Sequence, residues 1–106
     1  MQEINKISAY IGFAIKSGSV LYGIDNIINT SKKIQLIIMC NTNNQKVKFK
    51  LENYAEKNAT KLIETKNITL NEITHKNNVK VIAILNKNIA TAILNGQFNS
   101  CYNLIK

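Results

Sequence analysis

From residue 3 to residue 17 the apolar side chains Ile4, Ile7, Ile11, Ala14 and Ile15 recur three and four positions apart, which predicts an amphipathic helix. Gly18 follows as a left-handed stop. Residues 19–22 read as a short strand, Gly23 as a corner, and Ile24, Ile27 and Ile28 as the buried stripe of a short second helix. The run IQLIIMC, residues 34–40, is almost continuously apolar and predicts a strand covered on both faces. NTNNQ behind it reads as a loop. The segment KVKFKLENYAEKN fits two periods: Lys46, Lys48 and Lys50 alternate with Val47, Phe49 and Leu51, yet Val47, Leu51, Tyr54 and Ala55 also keep helical spacing. Its length favours a helix reaching Lys57.

Further along, residues 61–65 predict a strand. TLNE at residues 69–72 is a capping box, with a short helix expected to about Lys76. VKVIAIL, residues 79–85, predicts a second buried strand. NKNIATAILNG predicts a helix with Ile89, Ala92 and Ile93 inward, closed by Gly96. Over residues 97–106, Phe98, Tyr102 and Ile105 keep a spacing that permits one or two further helical turns, so this stretch reads as either a short C-terminal helix or a tail. A helix followed by alternating strands and helices implies an α/β fold. The expected form is a three-layer α/β/α sandwich with about four strands in a mostly parallel or mixed sheet and helices on both faces. A length of 106 residues implies one domain over 1–106.

Charge changes the picture more than hydropathy does. Net charge is +8, and every one of the 14 basic residues is lysine. A domain this basic points to a polyanion, most often nucleic acid. Without arginine, bidentate reading of guanine edges is not available. Contacts made by charge then go to phosphates and weaken with salt. Cys40 and Cys101 have no metal or redox spacing, and two free thiols fit a reducing compartment. No secretory leader or long apolar run is evident, so a cytoplasmic protein with no membrane partner is expected.

Catalytic signatures are missing from the sequence. No phosphate-binding GxxxxGK[ST] loop, GxGxxG fingerprint or GxSxG elbow occurs. His75 has no metal-ligand spacing around it, and Glu52 and Glu56 form an i, i+4 pair on a lysine-rich helix. The expectation is a protein without catalytic residues, metal or cofactor. Candidate chemistry gathers instead at the glycine corner, GSVLYGIDNIINTSKK. There a glycine and a helix start allow close approach of an anion or a bent nucleic acid backbone. Asp25 and Asn26 offer an acceptor and an amide, with Lys16, Lys32 and Lys33 expected as nearby cations.

Over roughly residues 4–95 the chain resembles the kink-turn RNA-binding ribosomal protein family, in its small bacterial YlxQ-like branch. The likeness rests on IGFAIKSGSVLYGIDNII, on the spacing to IQLIIMCNT, on TLNEITHK and on VKVIAILNKNIATAIL. It implies an α/β/α sandwich whose glycine corner and second helix dock on a sharply bent RNA with sheared G·A pairs. Typical members read Gly-Thr-Asn-Glu at the corner, with a lysine three residues later. Gly23 matches the glycine, while Ile24, Asp25, Asn26 and Asn29 occupy the other positions, so only the glycine is retained. The resemblance also implies RNA contact from the loop at His75, Lys76, Asn77 and Asn78, and Tyr22 stands beside the corner. The partner implied is structured RNA, ribosomal RNA included, together with a protein partner from the translation or transcription machinery. The alternative is a protein-interaction module on the same fold that has lost specific RNA recognition.

Overall fold

The computed structural model describes residues 2–96, 98 and 100–106. Ten elements follow in the order α1 (Gln2–Lys16), β1 (Val20–Tyr22), α2 (Ile24–Asn29), β2 (Leu36–Met39), α3 (Gln45–Lys57), β3 (Leu62–Thr65), α4 (Leu70–Thr74), β4 (Val81–Ile84), α5 (Lys87–Asn95) and β5 (Tyr102–Leu104). The strands form one mixed sheet in the order β1-β4-β2-β3-β5. β2 and β3 are parallel and joined through α3, and the other three pairings are antiparallel.

Alternation along the strands divides the core in two. Leu36, Ile38, Ile63, Ile82 and Ile84 face α1, α4 and α5, where they meet Ile7, Ile11, Leu70, Ile73 and Ile93. Ile37, Met39, Leu62, Val81 and Ala83 face α2 and α3, packing on Ile27, Leu51 and Ala55. β2 and β4 are buried at every position, as unbroken apolar runs require when helices cover both faces. The α/β/α sandwich expected from the pattern is therefore the architecture present. α3 resolves the ambiguous lysine-rich segment as a helix, capped by Asn44 Oδ1, which accepts from the Val47 amide at 2.9 Å.

Local signals explain the turns. α1 ends in a Schellman motif, with the Ser19 amide donating to Ala14 O at 2.8 Å and Gly18 at φ 71°. At α4, Thr69 accepts from the Glu72 amide and Glu72 accepts from the Thr69 amide, completing the capping box. α4 stops at Thr74 rather than Lys76, because His75 turns left-handed at φ 59°.

Of the two readings of 97–106, a short helix or a tail, the described residues follow the second, as a turn and then a strand; Gln97 and Asn99 lie outside the described residues. Phe98 is buried, the Cys101 and Tyr102 amides donate to its carbonyl, and the chain then extends as β5 against β3. The bare edge of β3 explains the outcome. Lys66 N donates to Cys101 O and Ile105 N to Leu62 O, satisfying backbone groups that a helical tail would leave unpaired. Tyr102 Oη donates to Ile93 O at 3.0 Å and fastens the strand to α5, while burial pushes its phenol pKa up. Among the described residues, no helix is long and apolar enough to cross a membrane.

Candidate functional site

The antiparallel pairing of β1 and β4 sets Tyr22 opposite Ile82, and the Gly23 amide donates to Val81 O at 3.1 Å. Gly23 takes φ 87° and ψ 147°, a conformation that a side chain disfavours, and then accepts from the Ile27 amide to begin α2. No atom stands within 4 Å of where a Cβ would lie, so the corner is open on that side. The loop from α4 to β4 returns the chain to the same place. Two of its residues, His75 and Asn78, are left-handed, at φ 59° and 61°. Asn71 Oδ1 accepts from the Val79 amide at 2.8 Å and ties the loop's far end to α4.

Corner and loop wall one cleft of about 590 Å³. Tyr22, Ile24, Val47, Val79 and Val81 supply its apolar surface, and Asn43, Lys76, Asn77, Asn78 and Lys80 supply amide and ammonium groups. Lys76 Nζ lies 5.6 Å from the centre of the Tyr22 ring, within cation–π range. Tyr22 Oη is shielded yet has no hydrogen-bond partner among the described residues, and burial raises its pKa. Asn43 Nδ2 donates to Cys40 O and Lys80 O, and Lys80 Nζ donates to Thr42 Oγ1, so the loop after β2 is locked against the start of β4. Below it, burial pushes the Cys40 thiol pKa up, but hydrogen bonds from Thr42 and the Leu70 amide outweigh it and leave the thiol below its ordinary value.

Of the residues expected from the sequence, Tyr22, Gly23, Ile24, Lys76, Asn77 and Asn78 line the cleft. Asp25, Asn26 and His75 are exposed and follow or precede lining residues without lining it themselves, and Asn29 is exposed at the far end of α2, next to Thr30 of a different cavity. Asn26 Nδ2 donates back to Tyr22 O at 2.8 Å, so part of its donor capacity goes to the corner itself. Asp25, in the first turn of the six-residue α2, sets a carboxylate at the helix start where an anion was expected to dock. Lys32 and Lys33 do not belong here. They border a second cavity with Thr30, Asn58 and Thr60, where β2 begins rather than where it ends. Lys16 also stands at that far end, before the turn into Val20. The length of β1 separates Lys16 from the corner, and after the short α2 the chain returns to the opposite end of the sheet before entering β2, so proximity in sequence misplaced these three lysines.

Sequence reasoning missed Asn43, Val47 and Lys80. Their signal was topological: the loop leaving β2 and the residue entering β4 must meet at one end once those strands pair antiparallel. Tyr22 and Ile24 are half-buried against the two core clusters, so the apolar corner does not by itself require a protein partner. No protein-family model matches this chain, and no curated protein matches it.

Proposed function

We propose that this protein is a cytoplasmic, non-enzymatic RNA-binding protein that takes structured, sharply bent RNA at the cleft between the Gly23 corner and the 75–78 loop. The observation carrying this reading is the convergence of those two segments, some fifty residues apart in sequence, on one cleft with an apolar floor and a polar rim. An unstacked base suits such a site. Tyr22 offers a ring face, Ile24 and Val47 offer apolar contact, and Asn43, Asn77 and Asn78 can meet base edges. Lys76 and Lys80 stand where a phosphate passing the rim would be met by charge. The unpartnered Tyr22 hydroxyl is a donor that a bound ligand would satisfy.

The test titrates a kink-turn RNA and the same duplex without its kink, each at two salt concentrations. The expected result is a preference for the bent RNA of about tenfold or more. Tyr22→Ala should cut binding of the bent RNA by roughly five- to a hundred-and-fiftyfold, the range of a lost base–aromatic stack of ~1–3 kcal/mol. Lys76→Ala, a surface change with little bearing on folding, should weaken both RNAs and lower the salt dependence by about one unit. Equal affinity of the unaltered protein for bent and unbent RNA ends the proposal.

A further inference from the structure

We propose that the pole of the sandwich opposite the cleft is a second RNA-contacting surface, which holds the phosphates of an arm flanking the RNA seated in the cleft. The inference rests on the RNA-binding reading and adds a site to it. Strand directions define the two poles. Tyr22, Met39 and Val81 end or begin their strands at the cleft, whereas Val20, Leu36 and Ile84 lie at the other end. Lys16 closes α1 there, Lys32 and Lys33 precede β2, Lys57 closes α3, Lys61 precedes β3, and Lys87 opens α5. All six are exposed. Among the described residues the ion pairs are Lys48–Glu64 and Lys106–Glu56, so none of the six is neutralised by a carboxylate. The one acid at this pole, Glu56, is itself the partner of Lys106 at 3.4 Å.

The remaining acids lie elsewhere. Glu3, Asp25 and Glu72 sit on elements at the cleft pole, and Glu52 and Glu64 sit in the middle of α3 and on β3. Most of the +8 net charge is therefore gathered at the pole that lacks the cleft. The surface there is also concave. Two cavities of about 270 and 290 Å³ share Ala59 and Thr60 and are rimmed by Lys32, Lys33 and Lys61. Lysine is a mobile point charge suited to phosphates and unsuited to reading bases, so this pole positions RNA while the cleft discriminates. A four-residue strand spans ~13 Å, so RNA touching both poles must reach past its bend.

The test pairs two kink-turn RNAs, one trimmed to the bend and one with a long flanking arm, across a salt series. For the unaltered protein the long arm should raise affinity and steepen the salt dependence. The triple variant Lys32→Gln, Lys33→Gln, Lys61→Gln should lose about two units of that slope on the long RNA, keep its affinity for the trimmed RNA within about twofold, and keep the bent-over-unbent ratio. A slope unchanged on the long RNA, or an equal loss on both RNAs, overturns the proposal. A readout on the unaltered protein does not depend on how the variant folds. Amine acetylation at Lys32, Lys33 and Lys61 should fall when the long RNA is bound and not with the trimmed one. Protection by phosphatidylserine vesicles without protection by RNA also overturns it. Failure of the cleft reading looks different: bent and unbent long RNAs bind alike, while the triple variant still loses slope.

Discussion

Ala59 sits where glycine is preferred. The Thr60 amide donates to Ala55 O at 2.8 Å and the Ala59 amide to Glu56 O at 3.3 Å, a Schellman ending to α3 whose left-handed residue, at φ 52°, is alanine. An L side chain in that region costs on the order of 1 kcal/mol, partly offset by the lower backbone entropy of unfolded alanine. Ala59→Gly should accordingly stabilise the protein by about 0.5–1 kcal/mol, read as a higher urea midpoint at unchanged slope. A lower midpoint would mean that the Ala59 methyl packs usefully in the recess it borders. Gly23 is the converse case, since its φ of 87° is matched to its residue type. The difference tracks the local geometry: Gly23 turns the chain at an open corner, whereas Ala59 carries its methyl into a turn that ends α3 between two shallow recesses.

At the scale of elements, α4 is the lever for the cleft. It has five residues, too few to persist by helix propensity alone, and it is held by its capping box and by Leu70 and Ile73 in the core. The loop after it is tied back to α4 where the buried Val79 places its amide on Asn71 Oδ1, and to the loop after β2 through Lys80. Asn71→Ala removes that acceptor and should cost about 1–2 kcal/mol, because a sheltered N–H is left without a partner. Faster amide exchange confined to residues 75–80, with β2 and β4 unchanged, is the expected signature; uniform loosening would mean that the bond serves the whole core. The same elements show which parts of the structure could be read in advance. Strands β2 and β4 announced themselves as unbroken apolar runs, and the α4 box as Thr69 and Glu72, because each signal is local. β5 did not, since Phe98, Tyr102 and Ile105 fit a helix equally well and only the open edge of β3 decides between them. About half of the cleft was legible, at Tyr22, Gly23, Ile24 and the loop residues Lys76, Asn77 and Asn78. Asn43, Val47 and Lys80 were not, because their approach depends on strand order.

For the whole molecule, uneven charge is a source of strain as well as a means of binding. Six unpaired lysines around one end of a small sandwich repel one another, and salt screens that repulsion over about 10 Å at 0.1 M. Thermal stability should therefore rise between low salt and about 0.3 M sodium chloride, before any salting-out effect. Lys33→Glu removes one positive charge and adds a negative one amid the rest, so it should stabilise the protein at low salt by a few tenths of a kcal/mol, the scale of exposed charge interactions. The gain should vanish at high salt, where the repulsion it relieves is already screened. Binding should move the other way, with weaker affinity and a shallower salt dependence for long-armed RNA, because the same charge faces the phosphates. A variant that gains stability at low salt and loses RNA affinity would show one cause behind both effects: lysines gathered at this pole against their mutual repulsion, for the sake of a polyanion. If Lys33→Glu is neutral or destabilising at every salt concentration, the lysines are too far apart to act as a patch, and the polar division of charge carries no energetic weight.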